Sequence, residues 1–403
     1  MFKPRPKSPV FPQDWDSSLP RAARRRQFGF QPRLMAVLLG LGLLGCHDRS
    51  GSKDQPAPST SRVAAAGVPS PSASSAASNF IPEKVEFNGK AMGTSITVIA
   101  YTSPKLGQLD ITRAIDAAMG EIDRLEKLMS SWKEDSEVSQ LNRKSGEFVQ
   151  VAPETFEVIE KGLWAGTVSE GTFDITFQAL SGLWKFGDAS EREPKPPSPK
   201  DVKQRLGLVD YRRVEVDKQG LRVKLGSGQQ LGLGGIAKGY IVDKAAHLLR
   251  GRGLDAFLFR AGGDLFGAGK KPNGETWVAG IQDPRGASND YFATLELTDR
   301  AFSTAGDYAR AYLYQGKRYH HIIDPRTGYP ATACKSVTVW AETALLADAV
   351  DDSVFILGPK KGLELVESLP GVGTVIVDAH DKVWISPRLE GKVSVLHQPT
   401  PGQ

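Results

Sequence analysis

The sequence predicts one domain of mixed α/β class (α/β or α+β) over residues 81–392. Helix-like and strand-like segments are interleaved throughout this stretch, a pattern typical of one unit rather than of separate α and β domains. The chain has 403 residues, of which 40% are hydrophobic and 24% charged, so it has the composition of a globular protein and enough length for a large core. A leader (1–45) and a linker (46–80) precede the predicted domain, and a tail (393–403) follows it.

Hydrophobic periodicity predicts the elements in chain order. A strand at 95–101 is followed by a helix at 110–130, whose apolar residues recur at helical spacing (Ile111, Ile115, Ala118, Ile122, Leu125 and Met129). A second helix starts at Pro153, and two more are predicted from Ile236 to about Arg250 and from about Thr343 to Leu357, where Gly358-Pro359 ends the last one. The other predicted strands are 213–217, 221–225, 229–234, 256–263, 276–283, 291–297, 309–315, 319–324, 335–341 and 373–379.

The leader accounts for the basic character of the chain. Residues 1–45 contain eight Lys or Arg and two Asp or Glu, so the remaining residues have a net charge of −1 although the whole chain has +5. Charge therefore gives no reason to expect a nucleic-acid partner. An apolar run of 11 residues (34–44) has the length of a signal-peptide core and is too short to cross a bilayer.

The leader ends in Leu43-Leu44-Gly45-Cys46, which resembles a bacterial lipobox. We therefore expect a signal peptide over 1–45, lipidation of Cys46, and attachment to a bacterial membrane on the periplasmic side, inner or outer. The basic residues before the apolar run leave a twin-arginine export route open. Of the 33 residues from 47 to 79, 20 are Ser, Pro or Ala and none is aromatic, so this linker cannot bury enough apolar surface to fold.

A glycine-rich loop is the first candidate site. In LGLGGIAKGYIVDKAA (231–246), Gly232, Gly234 and Gly235 precede a helix that carries Lys238. Glycines let a ligand approach the backbone closely, and a helix N-terminus offers free N–H groups to a phosphate. The loop lacks the Walker A pattern and matches the dinucleotide fingerprint poorly, so a tight strand-to-helix turn stays open as the alternative.

An acidic helix face is the second candidate site. Asp348, Asp351 and Asp352 are spaced i, i+3 and i+4 within the otherwise apolar LLADAVDDSVFILG (345–358). A solvated acidic face is the usual explanation of such a group. Because the neighbouring residues are apolar, we expect these carboxylates to be buried and to need a cation, and oxygen ligands favour Mg²⁺ or Ca²⁺ over zinc.

A histidine pair is the third candidate site. In RYHHIIDPRTGYPA (318–331), strand alternation would place His321 on one face and His320 on the other, before a turn at Pro325 and Gly328. We expect one histidine to point into a site and the other away from it. An imidazole suits proton abstraction from a hydroxyl, while a structural hydrogen bond is the alternative for either ring.

These motifs, in this order, resemble the ApbE-type FAD:protein FMN transferases. The resemblance covers nearly all of 85–390 and also includes KAMGTSITV (90–98), LMSSWKEDSEVSQLN (128–142), GTFDITFQAL (171–180), RAGGDLFGAG (260–269) and STAGDYAR (303–310). It implies a T-fold-like transferase domain that binds FAD with Mg²⁺ (Ca²⁺ or Mn²⁺ being possible) and transfers the FMN half to a Thr or Ser of an acceptor protein, releasing AMP.

The resemblance also implies roles for individual residues. It places the isoalloxazine near Met92 and Trp132, the latter where the family often has tyrosine. It assigns further cofactor contacts to Thr172, Phe173, Asp174, Gly232, Lys238 and Ile322. It assigns the metal to the Gly235 carbonyl and to Asp348, Asp351 and Asp352, and it makes His321 the catalytic base. Asp352 departs from the family pattern, which usually has Thr there.

Other functions remain open from the sequence. A metal-dependent FAD diphosphatase would use the same site with water as the acceptor, and a flavin-binding lipoprotein would carry FAD without turnover. A flavin-linked electron carrier would need an acceptor motif of the type Asp-Gly-x-Thr/Ser-Gly-Ala-Thr/Ser, which this chain lacks, so the acceptor must be another protein. The family's usual acceptors are membrane respiratory subunits of the sodium-pumping (Nqr) or Rnf type.

Overall fold

The computed structural model describes residues 80–186 and 194–402. The predicted signal peptide, the lipobox and the linker up to residue 79 lie outside these residues. No helix among the described residues is both long and apolar enough to span a membrane.

The helices are where the periodicity predicts them, with two short additions. Helix α1 buries Ile111, Ile115, Ala118, Ile122, Leu125 and Met129, as predicted. Gly358, with φ of 76°, interrupts α6 at the predicted end, and a second helical segment continues from there to Ser368. The helices are α1 (Gln108–Met129), α2 (Glu137–Arg143), α3 (Pro153–Val168), α4 (Pro199–Leu206), α5 (Ala237–Gly251) and α6 (Ala344–Ser368).

The strands are short and pair antiparallel. They are β1 (Lys84–Ala91), β2 (Thr94–Tyr101), β3 (Phe148–Gln150), β4 (Glu215–Asp217), β5 (Arg222–Lys224), β6 (Phe257–Ala261), β7 (Asp264–Ala268), β8 (Trp277–Gln282), β9 (Tyr291–Leu297), β10 (Arg300–Gly306), β11 (Ala311–Tyr314), β12 (Lys317–His320), β13 (Ile323–Asp324), β14 (Tyr329–Pro330), β15 (Cys334–Ala341), β16 (Gly373–Asp378), β17 (Val383–Ile385) and β18 (Val393–Val395).

An eight-stranded sheet in the order β1-β2-β6-β7-β10-β15-β16-β17 forms the centre of the described region. Helices α1, α5 and α6 pack together over one face of this sheet. The smaller sheet β18-β9-β8 covers part of the other face, where Trp277 and Leu295 pack with Trp340 and Val375. Strand β15 is consequently buried along its whole length, including its polar residues Lys335, Ser336 and Thr338. The mixed class is confirmed, in its antiparallel α+β form.

Two predicted strands are wrong in part or whole. No strand forms at 229–234, because the Asn142 side chain bonds both the N–H and the carbonyl of Leu231, and the Gly232 N–H bonds the Ile175 carbonyl. The predicted strand 319–324 is split, since β12 ends at His320 and β13 begins at Ile323. The alternation used for the histidine pair therefore does not apply across it.

The fold also continues beyond the predicted domain end at 392. Residues 393–395, assigned by the sequence to the tail, form β18 and pair with β9. The segment after β18 makes further contacts that are described below.

Gly239 is a close-contact point between α5 and α6. A Cβ there would lie 2.7 Å from the Leu345 nitrogen and closer still to the Ala344 carbonyl, and backbone atoms cannot rotate away as a side chain can. We expect Gly239→Ala to lower the free energy of unfolding by roughly 2 kcal/mol, the size of an overpacking strain. Chemical denaturation would measure this loss. Gly120→Ala on α1, where a Cβ meets no atom within 4 Å, is the matched control and should be neutral or stabilising.

Candidate active site

Helix α6 carries the three aspartates that the sequence singled out. Asp348 and Asp351 are buried, and Asp352 is half-buried. Asp243 of α5 fixes the start of this helix, because its carboxylate accepts hydrogen bonds from the first two α6 N–H groups at 2.7 and 2.9 Å. The acidic face is therefore held against α5 and the sheet, and the expectation of buried carboxylates is confirmed for Asp348 and Asp351.

Lys238 supplies the positive charge that the acidic helix face itself lacks. Its Nζ lies 2.7 Å from Oδ2 of Asp264 and 3.3 Å from Oδ1 of Asp348. The other oxygen of Asp348 accepts a hydrogen bond from the Gly239 N–H at 2.9 Å. The first turn of α5, predicted to face a phosphate, thus directs its lysine and one of its N–H groups toward carboxylates.

Asp264 and Ser303 complete this acidic cluster, and neither was predicted as a site residue. Asp264 begins β7 and Ser303 lies in β10, and both are buried. The Ser303 hydroxyl is hydrogen-bonded to Asp264 and lies 2.7 Å from Oδ2 of Asp351. Oδ1 of Asp351 accepts a hydrogen bond from the Asp352 N–H at 2.6 Å. An acidic residue directly after the Gly-Gly of RAGGDLFGAG was the signal that could have indicated Asp264.

The acidic cluster holds four carboxylates around one ammonium group. Burial raises the pKa of Asp348 to about 7 and that of Asp352 to about 6, and the pKa of Asp351 is also raised by burial. Neighbouring aspartates raise each of these pKa values further, while Lys238 lowers those of Asp348 and Asp352. Four ionised carboxylates carry more negative charge than Lys238 can neutralise, so protons or a further cation must balance the rest.

The donor set of this cluster suits a cation that prefers oxygen ligands. Gly235 adjoins it, because a Cβ on this glycine would lie 3.5 Å from Oδ2 of Asp352. As the side chains stand, no three His, Cys, Asp or Glu residues within 80–186 and 194–402 form a group that could hold a metal ion. Instead, Asp348 is paired with Lys238, and Asp351 accepts a hydrogen bond from the Ser303 hydroxyl. The carboxylate oxygens are ligands that such a cation prefers. For binding, the cation must replace Lys238 as the partner of Asp348.

The predicted cofactor segment Thr172–Asp174 lies against the glycine loop. The Phe173 ring would be 3.2 Å from a Cβ on Gly235. The Gly232 N–H donates to the Ile175 carbonyl at 2.8 Å. The structure therefore brings these two stretches together beside the acidic cluster, although they are separated by more than fifty residues in the sequence.

Thr172 and Asp174 use their polar atoms locally. The Thr172 hydroxyl donates to the Ser169 carbonyl at 3.0 Å. The Asp174 carboxylate accepts hydrogen bonds from the Thr176 N–H at 2.7 Å and the Tyr211 N–H at 2.9 Å, and burial raises its pKa. Both side chains shape the turn after α3.

Met92 lies in the turn between β1 and β2, where it adopts a left-handed φ of 52° and Gly93 follows with 68°. Glu126 of α1 accepts a hydrogen bond from the Met92 N–H at 2.9 Å, and its other oxygen lies 3.5 Å from Nζ of Lys133. Trp132, next to this lysine, is 85% exposed. An open cleft of about 480 Å³ adjoins the Met92 turn and Glu126. Glu126 thus joins the Met92 turn to Lys133, the neighbour of Trp132, and no sequence pattern indicated this role.

The two histidines have different environments, as expected, but not through strand alternation. His320 is buried, its Nε2 donates to the Ala331 carbonyl at 2.7 Å, and its Nδ1 accepts a hydrogen bond from the Ile322 N–H at 3.3 Å. Its ring packs edge-on against Phe355 of α6. Ile322, a predicted cofactor contact, is itself buried. His320 therefore has the structural role that the sequence kept open for one of the two rings.

His321 is exposed at the end of the β11–β12 hairpin, and its backbone N–H donates to the Arg310 carbonyl at 3.1 Å. The surrounding protein desolvates the imidazolium and lowers the pKa of His321 to about 4, and the charges of His320, Arg310 and Lys238 act in the same direction. The ring is consequently neutral at pH 7. The His321 N–H bonds the turn that follows β10, the strand that carries Ser303 of the acidic cluster.

The remaining parts of the site meet at one end of the central sheet. The Gly262 N–H donates to the Ser95 carbonyl at 3.0 Å, which joins the β6–β7 turn to the β1–β2 turn that carries Met92. Asp264 follows directly in β7, and Ser303 lies on the neighbouring β10. The Met92 turn and the acidic cluster therefore lie at the same end of the central sheet, and β10 ends at this end before the turn that bonds the His321 N–H.

Comparisons with known proteins identify the family of the chain. A model of the ApbE family matches residues 92–376. The chain is 30% identical to the FAD:protein FMN transferase of Treponema pallidum over 322 residues, covering 76% of this chain and 87% of that protein. It is also 30% identical to the FAD:protein FMN transferase of Escherichia coli K12 over 319 residues, covering 76% and 89%.

Solved structures give the same result. The ApbE protein of Thermotoga maritima superposes with a TM-score of 0.69 at 32% identity, covering 77% of this chain and 99% of that one. The flavinyl transferase ApbE of Pseudomonas stutzeri, in its apo form, superposes with a TM-score of 0.68 at 28% identity, covering 78% and 98%. The family match spans well over half of the sequence and includes each of the three candidate sites, and this chain belongs to the ApbE family.

Proposed function

We propose that this protein transfers the FMN moiety of FAD to a Thr or Ser hydroxyl of an acceptor protein. The acceptor oxygen forms a bond to the FMN phosphorus, the bond from that phosphorus to the AMP oxygen breaks, and AMP leaves. The observation that carries the proposal is the pairing of an oxygen-rich acidic cluster with a neutral, exposed histidine at one end of the sheet. Relatives named FAD:protein FMN transferase support it.

His321 acts as the base. Its ring is neutral at pH 7, so it can accept the proton of the acceptor hydroxyl as that oxygen attacks. His320 holds the hairpin end in place, because both of its ring nitrogens are engaged and its ring rests on Phe355. The proton ends on His321 and passes to solvent, to which this ring is exposed.

The acidic cluster would hold a divalent cation, with Mg²⁺ as our proposal and Ca²⁺ or Mn²⁺ as alternatives. Gly235, through its carbonyl, and Asp348, Asp351 and Asp352 would be the ligands. When bound, such an ion neutralises the diphosphate and stabilises the departing phosphate oxygen. Released from Asp348, the Lys238 ammonium can turn to the diphosphate, which reconciles its observed partners with its predicted contact to the cofactor.

Asp352 adds a charge that its family counterparts usually lack. Its carboxylate adjoins Gly235 and receives no hydrogen bond from the described residues, so it is the most available of the three. We infer that it tightens cation binding, while its charge opposes the approach of the diphosphate.

The acceptor and the location are also proposals. A membrane respiratory subunit of the sodium-pumping (Nqr) or Rnf type is the acceptor that fits an enzyme tethered by a lipid on Cys46. Export to the periplasmic side follows from the leader and the lipobox.

The direct test combines the full-length protein with FAD, Mg²⁺ and a protein bearing the acceptor motif. Flavin fluorescence on the acceptor band of a denaturing gel, with an equimolar amount of AMP, would establish the transferase. AMP with free FMN and a dark acceptor would establish an FAD diphosphatase instead. Bound FAD with neither product would mean that the chain only carries flavin.

Glu126 gives a prediction for the flavin end of the site. Glu126→Ala removes the acceptor of the Met92 N–H and the partner of Lys133, so we expect FAD to bind roughly tenfold more weakly, as for the loss of one hydrogen bond to a charged group. Quenching of flavin fluorescence on titration would measure this affinity. Glu121→Ala, on the same helix with its carboxylate paired to Arg124, is the matched control, and an equal loss in both variants would contradict the assignment.

A further inference from the structure

The segment after β18 is attached to the domain rather than free. The Leu396 N–H donates to the Phe292 carbonyl at 2.8 Å, and Pro399 is buried. The Thr400 N–H and hydroxyl both donate to Oδ2 of Asp283, at 2.9 and 2.8 Å. The Gly402 N–H donates to Asp381 at 3.3 Å. We call residues 397–402 the C-terminal strap.

The C-terminal strap contacts a buried chain of charges. Asp283 is 1% exposed, and its other oxygen accepts a hydrogen bond from the Arg285 N–H at 3.0 Å. The Arg285 guanidinium makes two hydrogen bonds of 2.7 Å to the two oxygens of Asp307. A Cβ on Gly402 would lie 3.5 Å from Nε of Arg285, so the strap covers this guanidinium. Bidentate pairs of this kind fix the geometry of both partners.

Asp307 connects this chain of charges to His321. It follows β10 and opens the turn 307–310, whose last carbonyl, that of Arg310, accepts the His321 N–H. The Asp307 N–H donates to the Lys335 carbonyl at 3.0 Å, so the turn is held from both sides. The charges of Asp307 and Arg285 also act on the ring of His320. The strap thus lies two side chains away from the turn that supports the proposed base.

We propose that the C-terminal strap is a positioning element for FMN transfer, and that Thr400 is its positioning residue. Thr400 orients the Asp283 carboxylate through two hydrogen bonds. Asp283 and the strap orient Arg285 in turn. Arg285 then holds Asp307 and the turn 307–310, which bonds the His321 N–H. The effect on rate rests on the proposed function, whereas the coupling between the strap and the turn does not.

The test compares three variants of the full-length protein. Thr400→Val removes the hydroxyl hydrogen bond to Asp283 but keeps the shape of the side chain, and Thr400→Ser keeps the hydroxyl. Ser394→Ala alters an exposed β18 residue that does not contact Asp283. For Thr400→Val we expect kcat for transfer to fall roughly tenfold with the KM for FAD unchanged, as for one lost bond to a charged group. Thr400→Ser and Ser394→Ala should match the wild type. If the strap served only to cover the sheet edge, Thr400→Val would not lower kcat without changing KM, and serine at this position would not keep the wild-type rate.

Hydrogen exchange gives a second readout that needs no substrate. Deuterium uptake across 307–322 should accelerate in Thr400→Val and in a variant lacking residues 400–403, but not in Ser394→Ala. Faster exchange confined to 283–290, with 307–322 unchanged, would overturn the proposal. If the wild type shows no transfer while uptake across 307–322 still responds to Thr400→Val, the proposed function fails and the positioning coupling stands.

Discussion

Replacing His321 with alanine is expected to slow FMN transfer by about 10²- to 10⁴-fold, the usual contribution of a general base. FAD affinity should be unchanged, because His321 is exposed at the hairpin end and, as the proposed base, acts only on the acceptor proton. Acceptor labelling on a gel, together with an FAD titration, measures both quantities. Loss of labelling with FAD binding intact is the expected result.

The dependence of the transfer rate on pH is a further test of His321 as the base. Because the pKa of His321 is lowered to about 4, the ring is already neutral at pH 6 and protonates only as the pH falls toward 4. At saturating divalent cation, titration of His321 should therefore not change the rate between pH 6 and 8. The rate should fall as the pH drops toward 4. In His321→Ala the residual rate should lose its dependence on this group.

Two other histidines serve as controls. His247→Ala, exposed on α5, should transfer FMN at the wild-type rate. His320→Ala should lower stability, because it empties a buried position whose two ring nitrogens are both hydrogen-bonded. Normal transfer by His321→Ala alongside a fully folded, inactive His320→Ala would reverse the roles assigned to the two rings.

Local patterns predicted most of the helices and strands because their causes are local. The apolar spacing of α1, the start of α3 at Pro153 and the break at Gly358 follow from neighbours within a few residues. The strand predicted at 229–234 failed because a side chain from far away, Asn142, bonds that backbone instead of a neighbouring strand. The extension of the fold past 392 was missed for a similar reason, since β18 is stabilised by pairing with β9.

The acidic cluster was also only partly predictable from the sequence. The apolar neighbours of Asp348 and Asp351 correctly indicated that these carboxylates are buried, but their partner Lys238 lies 110 residues away from Asp348 in sequence. Asp264 and Ser303 carry no periodic signal, and only the sheet brings β7 and β10 beside α6. Residue chemistry can be predicted from the sequence, whereas the partner of each charge depends on tertiary packing.

Removing divalent cations is expected to abolish acceptor labelling and to destabilise the protein more at pH 8 than at pH 6. Burial raises the folded-state pKa of Asp348 to about 7, above its ordinary value of 3.8. Between these values the folded state holds a proton that the unfolded state has lost, so stability falls as the pH rises through this window. The raised pKa values of Asp351 and Asp352 act in the same direction.

A divalent cation binds the ionised carboxylates and should offset this loss. The difference in Tm with and without the cation should therefore be small at pH 6 and roughly 5 °C at pH 8, since each pKa unit is worth about 1.4 kcal/mol and the domain is large. The lowered pKa of His321 changes stability in the opposite sense between about pH 4 and 6.5. Because this effect is confined to pH values below about 6.5, the difference between the two melting curves at pH 8 isolates the acidic cluster.

Asp351→Asn tests whether the acidic cluster is the source of this behaviour. The substitution removes one buried charge while an amide oxygen can still accept the Ser303 hydroxyl, so without cations the variant should be more stable than the wild type at pH 8. It should also lose both the stabilisation by cations and the transfer activity. Asp116→Asn, an exposed aspartate on α1, is the matched control and should melt like the wild type. If both variants kept the stabilisation by cations, the ion would bind elsewhere on the protein, and Lys238 would be the permanent rather than the exchangeable partner of Asp348.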